Sequence, residues 1–425
     1  MPRFLGQIDS VVLLVAMAES FALVDRLQHG LDQARDSDGA QAAVDPSSAQ
    51  LPRSTKRDGR FVIDEAHFPR WVDFNSSFAT LAGNALKWQW KMKGGMKMVA
   101  PPSQAVLDRE LPVFEPDRAA LESPPAGKVQ VTWLGHASVL VQCDGWTMLA
   151  DPLFSERCGP VQWAGPARAK RVRPAPLQVA GLPRVDAIVI SHNHYDHLDE
   201  TSVRDLARAQ PRAIFFVPLG MKKWFRSLGV HRAVVEMDWS ESVVLRDEDV
   251  GWEGAAARPD LSIICVPCQH WCNRGAFDVN KCLWSSWVCK SDNFAYYFGG
   301  DTGYCGEIFS KIGALYGPVD VAAIPIGAYG VPEERWFHRP VHMDPEEAVA
   351  CHMDLRCRQS VGIHWGTFAM TGEPLLEPPQ RVAAALIANE LPRDAFVCLN
   401  PGETRAFALV AGDRGRPLET EETDG

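Results

Sequence analysis

No stretch of this chain reaches the roughly 18 apolar residues that a bilayer-spanning helix requires, so an integral helical membrane protein is not expected. The best candidate run, Val11 to Val24, contains Glu19 and follows Asp9. Ala16-Met17-Ala18 resembles a small-residue cleavage site, yet only Arg3 leads the run and Asp9 offsets it. An intracellular location, cytoplasmic or peripheral to a membrane, is therefore expected. Secretion is the minor alternative, and only then would Asn75-Ser76-Ser77 matter as a glycosylation acceptor. Basic charge is also in short supply: 43 Lys and Arg stand against 53 Asp and Glu, a net charge of −10. That argues against a nucleic-acid partner, which usually goes with a basic surplus. The first 142 residues hold no cysteine, and eleven are scattered from Cys143 to Cys398. An odd, dispersed set reads as reduced thiols, not as a disulfide framework. No fixed short repeat is visible, which excludes solenoids and propellers. Neither a Gly-x-Ser-x-Gly elbow nor a glycine-rich phosphate loop occurs, so serine hydrolase and nucleotide-binding chemistry lose their usual signatures.

What is present is a chain of 425 residues, long enough for one large domain with an extension, or for two domains. Its 46% apolar and 23% charged residues are sufficient for a sizeable core. Character changes near Pro124-Pro125-Ala126-Gly127. Before that point strand signals are sparse, and Gln28 to Arg60 is polar, Asp- and Ser-rich, and expected to be flexible. After it, short β-branched and aromatic runs alternate with amphipathic stretches. Strands are expected at Val129–Trp133, Ser138–Gln142, Thr147–Ala150, Ala187–Ser191, Ile214–Val217, Ala233–Met237, Leu261–Val266, Trp284–Val288, Phe294–Phe298, Val321–Ile326, Ser360–His364 and Phe396–Leu399. Helices are expected at Thr201–Gln210, Gly220–Leu228, Cys305–Leu315, Pro345–Met353 and Pro379–Asn389. The pattern suggests two sheets packed together with helices outside.

The strongest chemical signal is Ser191-His192-Asn193-His194-Tyr195-Asp196-His197, directly after the apolar run Asp186-Ala187-Ile188-Val189-Ile190. Three imidazoles and a carboxylate at the end of a buried strand would be a poor core, because each would need its own partner. On a tight turn they can converge on a cation, and imidazole with carboxylate but no thiolate suits zinc in a hydrolytic site. The bland alternative is a polar loop that happens to be rich in histidine. Three further candidates, His270, Asp301 and His364, each follow an apolar strand. A lone histidine after a strand is more often structural than a ligand. Three such donors at strand ends, together with the first cluster, shift that balance towards a site assembled along one rim.

These residues and their neighbours resemble one family. His-x-His-x-Asp-His followed by distant His, Asp and His looks like the metallo-β-lactamase fold. The flanking stretches resemble the N-acylphosphatidylethanolamine-hydrolysing phospholipase D family within it. They include Val131-Thr132-Trp133-Leu134-Gly135-His136-Ala137, Asp151-Pro152-Leu153-Phe154-Ser155, Gln269-His270-Trp271-Cys272, Gly300-Asp301-Thr302-Gly303-Tyr304-Cys305 and Ile363-His364-Trp365-Gly366-Thr367-Phe368-Ala369. The similar region runs from about Leu107 to Glu403, whereas the first hundred residues match weakly. The resemblance implies an α/β fold, the metallo-β-lactamase αββα sandwich with an N-terminal extension, divided as extension 1–125, catalytic domain 126–412 and polar tail 413–425. It also implies two Zn2+ per chain: His192, His194 and His270 on one, Asp196, His197 and His364 on the other, and Asp301 bridging both. A hydroxide shared by the metals would attack phosphorus, giving N-acylethanolamine and phosphatidic acid. The alternative substrate is a soluble phosphodiester or a lactone, and a third reading is a membrane-associated binding protein with an inactive centre.

By the same resemblance, His342 lies where the family places a histidine at the substrate phosphate, with Val341 in place of an expected Gln. Gln162 and Trp163 fall where the family lines its pocket, Trp163 replacing an expected Tyr. His136 reads as a brace for the ligand loop. Cys265, Cys268 and Cys272 read as core or loop thiols, since no second CxxC pair follows. A homodimer is implied. Finally, Lys87 to Val99 (Lys-Trp-Gln-Trp-Lys-Met-Lys-Gly-Gly-Met-Lys-Met-Val) combines interfacial Trp with Lys and Met and is expected to dock on a phospholipid membrane. The basic run Arg168 to Arg173 is expected to add to that surface.

Overall fold

The computed structural model describes residues 21–36, 51–68, 99–231, 233–250, 257–275 and 277–409. After a short hairpin of β1 (Thr55–Arg57) and β2 (Arg60–Val62), two seven-stranded sheets make up the body. One contains β3 (Lys128–Gly135), β4 (Ser138–Cys143), β5 (Trp146–Ala150), β6 (Ala187–Val189), β7 (Ile214–Pro218), β8 (Val234–Met237) and β16 (Thr404–Ala408), in the order β16-β3-β4-β5-β6-β7-β8. The other contains β9 (Ser242–Leu245), β10 (Leu261–Val266), β11 (Ser286–Lys290), β12 (Ala295–Phe298), β13 (Val319–Pro325), β14 (Cys357–Ile363) and β15 (Phe396–Val397), in the reverse sequence order β15 to β9.

Alternation along the strands explains the layering, since neighbouring residues face opposite sides of a sheet. Val139, Val141, Met148, Ala187, Val189 and Phe216 join the core between the sheets together with Trp287, Phe298, Ile324 and Val361. Their immediate neighbours Leu140, Leu149, Ile188 and Phe215 belong to a second core, shared with Val203 and Leu206 of the helix Glu200–Ala209 and Phe225 of the helix Lys222–Ser227. Helices Gly306–Tyr316, Pro345–Asp354 and Pro378–Ala388 cover the other sheet, with Ile308, Ile312, Val349 and Leu386 buried. Both faces of both sheets are therefore covered, which is why so many strands read as unbroken apolar runs.

The sheets share a pattern. In the first, β16-β3, β3-β4 and β4-β5 are antiparallel, then β5-β6, β6-β7 and β7-β8 are parallel. In the second, β9-β10, β10-β11 and β11-β12 are antiparallel, then β12-β13, β13-β14 and β14-β15 are parallel. The C-terminal ends of β3, β5, β6 and β7 thus share one edge, as do those of β10, β12, β13 and β14. Those edges carry the candidate site.

The structure departs from the sequence reading at several places. Strands β9 and β16 were not expected: they are outermost, and of β16 only Phe407 is buried, so no apolar run marks it. The strand expected at Trp284–Val288 forms instead at Ser286–Lys290, because its pairing with β10 and β12 sets the register. The stretch Gln28 to Arg60 is not uniformly flexible. Residues 21–36 are helical, with Leu23, Val24 and Leu31 buried, and Arg35 Nε donates to Glu241 Oε1 at 2.7 Å. The basic run is also partly corrected: Arg171 is buried and donates to the Leu153 and Ser155 carbonyls, while Arg173 pairs with Asp108 at 2.6 Å. Neither guanidinium is available to a membrane. The expected docking segment Lys87 to Met98, the apolar run before Phe21 and the tail 413–425 lie outside the described residues, and no helix among those described is long and apolar enough to cross a membrane.

Candidate metal centre

The donors at the centre come from strand ends, and at three residues of these ends the backbone bends sharply. His136 (φ 52°), Asp151 (φ 36°) and His364 (φ 62°) occupy the left-handed region that residues with a side chain rarely adopt. Such strain persists where surrounding contacts hold it, and it concentrates at functional sites. Here the His364 amide donates to the His136 carbonyl at 2.9 Å, tying the end of β14 in one sheet to the end of β3 in the other. Gly300 (φ 56°) serves a different need. A Cβ there would stand 2.4 Å from Ser191 Cβ, so only glycine lets the Asp301 turn lie against the histidine-rich turn.

Two groups of donor atoms converge. His194 Nδ1 lies 2.7 Å from His192 Nε2 and 3.3 Å from His270 Nε2. Both His192 Nε2 and His270 Nε2 lie 3.8 Å from Asp301 Oδ2. On the other side, Asp196 Oδ2 is 3.5 Å from both His197 Nε2 and His364 Nε2. His197 Nε2 lies 3.1 Å from Asp301 Oδ2, and His364 Nε2 lies 3.0 Å from Asp301 Oδ1. Donors about 3.3 Å apart are what a tetrahedral zinc with bonds of about 2.0–2.1 Å requires. Asp301 is common to the two groups.

The donor set fits a cation better than it fits itself. His197 Nε2, His364 Nε2 and Asp301 Oδ1 are buried without a hydrogen-bond partner. Orphaned buried polar atoms cost on the order of 1–3 kcal/mol each, and several aimed at common points suit metal coordination. Charge is distributed to match. Against the desolvation of burial, His197 holds both Asp196 and Asp301 well below the usual carboxylate range. Burial also opposes protonation of His364, yet Asp301 and Asp196 hold it up to about 9, and they hold His197 well above the ordinary imidazole value. Burial pushes His192 down, His194 to about 4 and His270 to about 3, leaving them neutral and able to donate a lone pair.

A second layer orients these rings. His197 Nδ1 meets Asp151 Oδ2 at 2.6 Å, and Asp151 also accepts the Ser191 amide at 2.7 Å. His270 Nδ1 donates to the Val341 carbonyl at 3.0 Å, and Gln269 donates to the Pro340 carbonyl at 2.7 Å. Val341 therefore serves the site through its backbone. His136 Nε2 lies 3.0 Å from Asp196 Oδ2, so it contacts the ligand turn as a bracing residue would. Asp151 and Ser191 were not singled out as functional from sequence. The signal available was that Asp151 follows β5 as Asp301 follows β12.

The remaining candidates separate. His342 Nδ1 is buried, unpartnered and 3.9 Å from Asp301 Oδ2, facing the donor groups. Gln162 instead bonds its own loop, accepting from the Arg157 amide at 3.0 Å and donating to its carbonyl at 2.9 Å. Trp163 is 86% exposed. That loop does adjoin the centre: Cys158 Sγ is 3.9 Å from Met370 Sδ, and Met370 lines a small cleft with His136, His364 and Phe368. All eleven cysteines are free thiols; Cys265, Cys268 and Cys272 are buried, and none joins a candidate metal group among the described residues.

Residues 147–365 match the family model described as a beta-lactamase superfamily domain, just over half of the chain. The protein is a member of that superfamily, with its α/β sandwich of two sheets. Within it, the chain is 41% identical over 309 residues to N-acyl-phosphatidylethanolamine-hydrolyzing phospholipase D 1 of Caenorhabditis elegans, spanning 71% of this chain and 82% of the relative. It is 31% identical over 320 residues to the mitochondrial N-acyl-phosphatidylethanolamine-hydrolyzing phospholipase D of Saccharomyces cerevisiae, spanning 73% of this chain and 63% of the relative. An uncharacterized protein of Mycobacterium tuberculosis is 37% identical over 368 residues, 85% of this chain and 86% of its own length. The chain belongs to the N-acylphosphatidylethanolamine-hydrolysing phospholipase D family and is a metal-dependent hydrolase.

Proposed function

We propose that this protein is a zinc-dependent phospholipase D that hydrolyses N-acylphosphatidylethanolamine to N-acylethanolamine and phosphatidic acid. The observation that carries the reading is that Asp301 lies within 3.0–3.8 Å of histidine donors on both sides, in a chain 41% identical to a hydrolase of that name. His192, His194 and His270 would hold one zinc, Asp196, His197 and His364 the second, with Asp301 between them. Two such ions would supply Lewis acidity for the phosphate oxygens and lower the pKa of a water molecule towards neutrality.

The chain's own residues have distinct tasks. Asp151 holds His197 through Nδ1, which directs Nε2 towards the centre, as a carboxylate behind a ligating histidine does. The Val341 carbonyl does the same for His270. His342 presents Nδ1 to the same space and would contact a non-bridging phosphate oxygen as charge develops there. Burial, against the opposing pull of Asp301, holds His342 well below the ordinary imidazole value, so it would act as a neutral hydrogen-bond partner. A lipid substrate calls for approach from a membrane surface. Trp336, 60% exposed and six residues before His342, and Trp163, 86% exposed, suit that interface.

Purified protein should carry about two zinc ions per chain by elemental analysis, and incubation with a mixed lipid extract should release N-acylethanolamines detectable by mass spectrometry. One metal per chain, or mainly iron, would overturn the two-zinc scheme. Loss of a soluble phosphodiester or a lactone from a metabolite mixture, with the lipids untouched, would replace the substrate.

A further inference from the structure

We infer that Arg274 clamps the ligand turn Ser191–His197 into its ligating shape, and that the N-terminal hairpin β1–β2 sets this clamp. The inference rests on the metal-centre reading and is independent of the lipid substrate.

The turn has an unusual burden. Four donors within six residues must face inward while the chain leaves β6 and enters the helix Glu200–Ala209. Its internal bonds are few: the amides of His197 and Leu198 both donate to the His194 carbonyl, at 3.1 and 2.9 Å. The carbonyls flanking the ligands are taken up from outside. Arg274 Nη1 donates to the Asn193 carbonyl at 3.2 Å and to the Leu198 carbonyl at 2.7 Å, so one guanidinium spans the ligands His194, Asp196 and His197. Its plane stands over the Tyr195 ring at 4.1 Å and near Trp224 at 4.8 Å. Tyr195 returns the contact, its hydroxyl donating to the Arg274 carbonyl at 3.1 Å. One guanidinium nitrogen thus serves both carbonyls, while the planar group that carries it is held against the Tyr195 and Trp224 rings.

Arg274 sits four residues beyond His270 on a loop that has to be held in turn. The amides of Arg274 and Gly275 donate to Asp278 Oδ1 at 3.1 and 2.7 Å. Asn280, buried and at φ 54°, closes the loop: its Oδ1 accepts the Cys272 amide at 3.0 Å and its amide donates to the Cys272 carbonyl at 2.8 Å. The hairpin then seals the outside. The Phe61 amide donates to the Asn280 carbonyl at 2.7 Å, and the Arg60 guanidinium donates to the Val279 and Phe277 carbonyls. A continuous chain of contacts thus runs from β2 through Asn280 and Arg274 to the ligand turn. The hairpin is thus linked to the ligand turn through the Arg274 loop.

The test follows zinc loss from loaded protein to a strong chelator, with thermal unfolding measured in parallel. Arg274→Met should lose zinc about tenfold to a hundredfold faster, the range typical of groups behind metal ligands. Arg274→Lys, which keeps a charged donor but loses the planar group held against Tyr195 and Trp224, should fall between Arg274→Met and the unaltered protein. Arg60→Met should be several-fold faster, and Arg60→Met with Arg274→Met no faster than Arg274→Met alone, because linked contacts are not additive. Unchanged zinc loss in folded Arg274→Met, even with a lower unfolding temperature, would overturn the clamp. Multiplying effects in the double variant would detach the hairpin from it. Unaltered protein that takes up no zinc would instead overturn the metal-centre reading itself.

Discussion

The two sheets have the same succession of antiparallel and parallel pairings, yet they equip their strand ends differently. The sheet of β3 to β8 places four donors on one turn after β6, and its other strand ends carry supports: His136 after β3, against Asp196, and Asp151 after β5, behind His197. The sheet of β9 to β15 spreads single donors over three ends, His270 after β10, Asp301 after β12 and His364 after β14. Under the proposed scheme, corresponding positions would hold a support in one sheet and a donor in the other: His136 answers to His270, and Asp151 to Asp301. One scaffold edge can supply both layers of a metal site.

The comparison breaks most visibly at the paired aspartates. Asp301→Asn keeps size but removes the charge shared by both donor groups, and activity should fall by several orders of magnitude with the fold retained. Asp151→Asn should cost about tenfold to a hundredfold, the scale of a lost support behind a ligand. Equal losses in steady-state assays would erase the distinction between donor and support.

The paired histidines sharpen it. His270→Ala should lower metal content from two ions per chain towards one. His136→Ala should keep both and reduce activity about tenfold through a less constrained Asp196. Metal loss in His136→Ala, measured by elemental analysis, would move His136 into the donor set, where its distance to Asp196 would also allow it.

The smallest effect expected is on stability and pH. In metal-free protein, burial disfavours the charged form of His364, but Asp301 and Asp196 outweigh it and hold the group up to about 9. Its unfolded value is about 6.5. A raised folded value contributes stability that is fully present below the unfolded value and is lost as pH rises through about 9. Metal-free protein should therefore lose stability as pH rises from about 6.5 to about 9. Zinc-loaded protein should not, because the metal replaces the proton. Urea unfolding with chelator and with zinc measures both; equal pH dependence would place His364 outside the metal site.

Much of the fold was legible because both sheets are covered on both faces, so β3, β4, β5 and β10 appear as apolar runs that pattern reading can find. The outermost strands β9 and β16 escaped for the converse reason: part of each faces solvent, and pairing alone makes them strands. The helix over residues 21–36 escaped because its polar residues find partners far along the chain, such as Glu241 for Arg35.

The sequence by itself determined the chemistry on offer: imidazoles and carboxylates without a thiolate, four of them bunched after one strand, and the flanking motifs that mark the family. Spacing along a chain reports which residues occur after a strand, and it carries no distances between strands. Only the tertiary structure could decide that Asp301 stands between two donor groups, that Asp151 and the Val341 carbonyl lie behind histidines, that Gln162 bonds its own loop, and that Arg274 reaches both sides of the ligand turn. Each of these depends on hydrogen bonds between segments tens to hundreds of residues apart, and such bonds form only where the packing of the two sheets brings their edges together.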